Sequence, residues 1–184
     1  MRMAYGRNGA ARKTKLLTLC AVLSALGVVL LYLGSLFEVL DLSMAVLASL
    51  AVVILVVECG GAYPWLVYLV TTILSLLLLP NKFSAVAYGF FMGFYPIMKE
   101  KIERIPLRLL RLILKLFIFN GAMVLMWWLG GLLIGGFELG YSVAIIALVL
   151  NATFLFYDYA LSVMITAYLR VWRRKLRIDR FFKN

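Results

Sequence analysis

Histidine is missing altogether from this chain of 184 residues, and with it go the usual acid–base group at neutral pH and the commonest metal ligand. Cysteine is nearly missing as well. Cys20 falls inside an apolar stretch and Cys59 in a turn, and two thiols so separated predict neither a metal site nor a disulfide. Acidic residues number 8 against 19 Lys and Arg, giving a net charge of +11, yet charged residues of both signs make up only 15% of the chain. There is no nucleotide-binding loop: the opening "GRNGAARKT" has Arg12 where a glycine should precede Lys13, and no strand comes before it. The serines at 24, 35, 43, 49, 75, 84, 142 and 162 have no base beside them, and in apolar helices such hydroxyls serve a backbone carbonyl or a neighbouring helix. These gaps predict a protein that is not an enzyme, holds no cofactor or metal, and hydrolyses no ATP itself. Linkers, low-complexity tracts and internal repeats are also lacking, which predicts a single domain over 1–184.

What fills the chain is apolar. Hydrophobic residues make up 65% of it and the mean hydropathy is +1.03, far beyond an ordinary globular domain. Six stretches are long enough to cross a hydrocarbon core of about 30 Å at about 1.5 Å per residue: 15–37, 42–58, 62–79, 83–99, 107–134 and 141–171. Backbone polar groups cannot remain unpaired in lipid, and the apolar runs are continuous rather than alternating, so the stretches predict helices and not barrel strands. The expected fold class is an all-α membrane protein, a six-helix transmembrane bundle. The first stretch is too long for a signal-peptide core and has no small-x-small cleavage site after Phe37, so it is expected to stay.

The cations set the orientation. With the amino terminus inside, Arg2, Arg7, Arg12, Lys13 and Lys15 collect on the inner face with Lys99, Lys101, Arg104, Arg108, Arg111 and Lys115, and again with Arg170, Arg173, Arg174, Lys175, Arg177, Arg180 and Lys183. Lys82 alone falls outside, among Glu38, Asp41 and Glu138. This asymmetry predicts both termini in the cytoplasm. It also explains the charge by anionic lipid at the inner leaflet rather than by nucleic acid. Arg104, Arg108, Arg111 and Lys115 recur every three or four residues, predicting an amphipathic start to the fifth helix near the headgroups, and the basic and aromatic tail "LRVWRRKLRIDRFFKN" is expected to behave alike.

Polar residues inside the stretches are the candidates for function. Asn151, Leu155, Asp158 and Ser162 share one face of the sixth helix; Asn120, Val124, Trp127 and Gly131 line up on the fifth; Tyr88, Met92, Tyr95 and Lys99 line up on the fourth. Counting residues places Asn151 near the midplane and Asp158 about 10 Å further in, with Asn120 level with Asp158 and Lys115 about 7 Å below. A carboxylate at the centre of a membrane helix costs on the order of 3 kcal/mol unless it finds a partner. Asp158 is therefore expected either to pair with Lys115 or Lys99, or accept from Asn120 or Tyr95, or else to line a water-filled cavity. Tyr88, Tyr95, Asn120, Trp127, Asn151 and Asp158 are the ligand-binding candidates. Small residues spaced four apart, Ala21 with Ala25, Gly89 with Gly93 and Gly131 with Gly135, allow close helix contact.

Six helices in 184 residues, a basic start running into "AVLSA" at 21–25, and the lack of a nucleotide site resemble the substrate-capture subunit, or S component, of energy-coupling factor transporters. "YGFFMGFYPIMKEKIER" at 88–104 adds to the similarity. The resemblance implies a multi-pass protein of the bacterial plasma membrane that captures a vitamin or similar small solute from outside. It implies docking through Ala21 and Ala25 on a separate coupling transmembrane subunit that carries two ATPases. The family's pocket, walled by the last three helices and capped by outer loops, would fall here on Tyr88, Trp127, Trp128 and Asn151, with Glu38, Asp41, Phe137 and Glu138 in the loops. Two other readings compete: a non-transporting membrane scaffold, and a self-contained proton-coupled carrier using Asp158.

Overall fold

The polypeptide backbone turns helical almost as soon as it begins, and the basic amino-terminal segment is part of the first helix. In the computed structural model the backbone is described for residues 2–134 and 143–172 and the side chains for 13–37, 39–128 and 144–170. In chain order the elements are α1 (Arg2–Leu36), a 3₁₀ turn (Glu38–Leu40), α2 (Asp41–Glu58), α3 (Tyr63–Leu78), α4 (Phe83–Ala87), a π turn (Tyr88–Met92), α5 (Tyr95–Glu103), α6 (Arg108–Ile134), α7 (Val143–Ala167) and a second π turn (Tyr168–Trp172). The expected class is the observed one: all-α, six helices with α4, the first π turn and α5 counted as one interrupted helix. Four segments are long and apolar enough to cross a membrane, Lys13–Leu36, Asp41–Glu58, Arg108–Trp128 and Ala144–Arg170, while Tyr63–Leu78 is shorter. The first helix begins well before its apolar stretch because Met, Ala, Arg and Lys are good helix formers and no proline interrupts them.

The chain divides into two compact units, Met1–Arg104 and Ile105–Asn184. In the first, α2 is the central helix. Ala45, Ala48, Val52 and Leu55 recur at helical spacing, all fully buried, and their small side chains let α1 and α3 approach. On α1 the inward stripe is Cys20, Leu23, Ser24, Gly27 and Leu31. Gly27 is needed for contact: a Cβ there would lie 3.1 Å from Thr71 Cγ2 on α3. The α2–α3 turn uses two glycines in the left-handed region, Gly60 at φ 61° and Gly61 at φ 64°, and the Gly60 amide closes α2 on the Leu55 carbonyl at 2.9 Å.

The interruption of the fourth helix has a local cause. The Gly93 amide bonds the Tyr88 carbonyl at 2.7 Å, one residue further back than α register allows. That leaves the Gly89 carbonyl without its usual amide, and the Tyr68 hydroxyl of α3 donates to it at 2.7 Å. Pro96, with no N–H of its own, then restarts the chain as α5 from its first turn. Rings crowd the break: Phe91 and Tyr95 at 4.9 Å, Tyr68 and Phe94 at 6.4 Å edge to face.

In the second unit α6 and α7 run antiparallel. Lys115, Phe119 and Ala122 form the buried stripe of α6, and Phe154, Tyr157 and Leu161 that of α7. Phe119 and Phe154 stack at 4.6 Å with an 8° interplanar angle. Other faces stay open, with Phe117, Phe156 and Tyr159 all strongly exposed.

Candidate functional site

One polar ladder joins α6 to α7, and its rungs follow from helical spacing. Lys115 Nζ lies 2.8 Å and 3.0 Å from the two carboxylate oxygens of Asp158, with both side chains largely buried. Past the Phe119–Phe154 stack, Asn120 and Asn151 exchange reciprocal bonds of 2.9 Å and 3.1 Å. Each carboxamide also donates to the carbonyl four residues back in its own helix, Leu116 for Asn120 and Ala147 for Asn151, both at 2.8 Å. All four amide hydrogens of the pair are thereby used. Ser162 and Thr166 donate to the carbonyls of Asp158 and Ser162 at 2.8 Å, as hydroxyls in apolar helices commonly do.

Of the partners the sequence offers Asp158, Lys115 pairs with it. The expected depths need correction: Asn120 is level with Asn151, not with Asp158. Counting from assumed helix ends misses the register: from the Phe119–Phe154 stack, Lys115 and Asp158 are each four residues along their own helices, so their backbones lie level. The same contact corrects the basic stripe. Lys115 turns into the hairpin, while Arg108 is exposed and Arg104 pairs with Glu100 one turn away.

Above the ion pair, α6 and α7 leave a groove of about 310 Å³. Phe119, Val124 and Trp127 line it from α6, Ile146 and Leu150 from α7, and both asparagines border it. Three of the ligand candidates, Asn120, Trp127 and Asn151, thus meet at one cavity, with Asp158 two turns away along α7. Tyr88 and Tyr95 belong to the first unit, where both are fully buried. Beside Tyr95, Lys99 has its ammonium 6.0 Å from the ring centroid and 3.2 Å from Glu103. Trp128 is exposed. Gly89 and Gly93 serve internal packing, since a Cβ at either would lie under 3 Å from Thr72, or from Tyr68 and Tyr88. Ala21 and Ala25, in contrast, are exposed on α1, beside the buried stripe that carries Ser24 and Gly27. Phe137, Glu138, Gly135 and the basic tail from Arg173 onward lie outside the described residues, as does the side chain of Glu38.

A second buried polar group escaped the sequence reading, which placed Asp41 only as a loop acid. Asp41, 4% exposed at the start of α2, accepts the Ser84 hydroxyl and, at 3.4 Å, the Asn81 amide. Asn81 in turn accepts the Phe83 amide at 3.0 Å, and the Lys82 ammonium donates to the Leu79 carbonyl at 2.6 Å. The α3–α4 connection is thereby tied to the first turn of α2, where a negative charge is also favoured by the helix dipole. Asp41→Ala leaves the Ser84 hydroxyl buried without its acceptor, so a loss of about 2 kcal/mol is expected in a denaturant titration of the purified protein. Asp41→Asn should lose less.

Compared with family models, with curated proteins and with solved structures, the chain matches none of them.

Proposed function

We propose that the chain is the solute-capturing subunit of an importer in a bacterial plasma membrane, of the kind found in energy-coupling factor transporters. It would take a vitamin-like small molecule from outside and pass it inward through a separate coupling subunit that carries two ATPases. The observation that supports this reading is the outward position of Ala21 and Ala25 on a helix whose other face is already packed. In lipid there is little hydrophobic drive to bring helices together, so a partner helix depends on short side chains in register for close approach. These two alanines provide a shallow strip of that kind, between the larger exposed side chains of Leu17, Val22 and Val29. The groove between α6 and α7 supplies a place for a small solute, with aromatic and aliphatic walls and two carboxamides.

Ala21→Trp with Ala25→Trp is expected to abolish copurification with a coupling subunit and its ATPases, while the melting temperature stays within a few degrees of wild type because both side chains already project outward. Undiminished copurification would remove the docking claim. The scaffold reading has one feature in its favour, the mutual satisfaction of Lys115 with Asp158 and of Asn120 with Asn151, which asks for no ligand. It predicts neither a retained solute nor an associated ATPase in native mass spectrometry. The proton-carrier reading is the weakest of the three, since one ammonium engages both oxygens of Asp158.

A further inference from the structure

The chemistry of the α6–α7 groove narrows the solute. Each asparagine spends one amide hydrogen on its own helix, at Leu116 or Ala147, and this bond fixes the plane of the carboxamide. What remains on each is an edge with one N–H and one C=O side by side. In the structure the two edges satisfy each other at 2.9 Å and 3.1 Å. Parting them leaves two donor–acceptor edges beside a cavity otherwise walled by Phe119, Trp127, Val124, Ile146 and Leu150.

We infer that the groove binds a flat, uncharged heterocycle carrying two lactam or imide edges, as in a pyrimidinedione or a xanthine, which inserts between Asn120 and Asn151 and replaces their mutual hydrogen bonds with its own. Three features carry this assignment. Each lactam edge presents a C=O and an N–H side by side, the complement of a carboxamide edge, so each asparagine keeps its number of hydrogen bonds and no amide donor is left idle. The phenyl and indole walls suit the faces of a planar ring. A groove of about 310 Å³ has room for one or two fused rings, and its lining contains no charged residue to neutralise a carboxylate or phosphate. The inference rests on the solute-capture reading and specifies which solutes that reading admits.

The test uses the full chain in nanodiscs, with xanthine and thymine as probes and with caffeine and 1,3-dimethylthymine as partners of the same shape whose N–H groups are methylated. Tryptophan fluorescence and calorimetry report binding, with Trp127→Phe identifying the signal from the groove. Xanthine or thymine is expected to bind at least about tenfold more tightly than its methylated counterpart. Asn120→Val with Asn151→Val should erase that preference with the melting temperature held, because no polar group is left without its mate. Equal affinities within each pair, no binding of either parent, or an unchanged preference in the double variant each overturn the assignment. If that happens while native mass spectrometry finds a different solute retained, the lactam claim fails and solute capture stands. If no solute is retained and the Ala21→Trp, Ala25→Trp protein still copurifies with partners, solute capture itself has failed.

Discussion

Lys115→Met is expected to destabilise the α6–α7 hairpin by about 3–5 kcal/mol, the cost of leaving a largely buried carboxylate without its cation. Asp158 has a short side chain and lies well inside the apolar segment Ala144–Arg170, so it has no stem with which to reach headgroups. It must keep its charge in an apolar setting or take up a proton, and either response costs stability. The reverse change, Asp158→Leu, should cost less, since the long stem of Lys115 can carry its ammonium toward the nearer headgroups. The double variant Lys115→Met, Asp158→Leu should regain most of the loss, and a coupling energy from the full cycle separates the pair from each residue's packing. Denaturation of the purified protein in mixed detergent micelles would measure all four. An Asp158→Asn protein that kept its stability and lost solute uptake would instead point to a proton-active carboxylate.

That ion pair also shows how far sequence alone could reach. Hydropathy located α2, α3, α6 and α7 to within a few residues, but it missed the basic first turns of α1, which begins at Arg2 rather than Lys15, and the break within the fourth helix. Helical spacing brought Asn151 and Asp158 to one face and gave Lys115 as a partner, because neighbours three or four apart must share a face. The pairing of Asn120 with Asn151 was less legible. It depends on the register of α6 against α7, which a count from assumed helix ends does not fix. Asp41 with Ser84 and Asn81 was invisible for another reason: these residues are some forty positions apart, and no local period links them. The outward direction of Ala21 and Ala25 could not be read either, since a spacing of four is equally compatible with an inner or an outer face. Only the exposure of Ala21 and Ala25 beside the buried Ser24 and Gly27 decides it.

At the break in the fourth helix, Gly93→Val is expected to cost about 3 kcal/mol, the upper end of the usual range for overpacking. A Cβ at Gly93 would fall 2.7 Å from Tyr68 Cδ2 and 2.8 Å and 2.9 Å from Tyr88 Cε1 and Cζ. These are atoms of rings, which cannot yield as the tip of an aliphatic chain could, and Tyr88 is itself fully buried. The contact is tight because the π turn draws the Gly93 amide to the Tyr88 carbonyl and brings that residue's ring alongside. Tyr68→Phe makes the complementary test. It removes no volume from the ring cluster, but it takes the hydroxyl from the Gly89 carbonyl, which the π register has already deprived of its amide. A loss of about 1–2 kcal/mol is expected, together with faster hydrogen exchange along Tyr88–Met92 and little change in α1 or α2. If Tyr68→Phe left exchange at 88–94 unaltered, the hydroxyl would not be what holds the interruption. The proline at 96 and the glycine at 93 would then suffice alone, and the "GFYP" sequence would encode the break without help from α3.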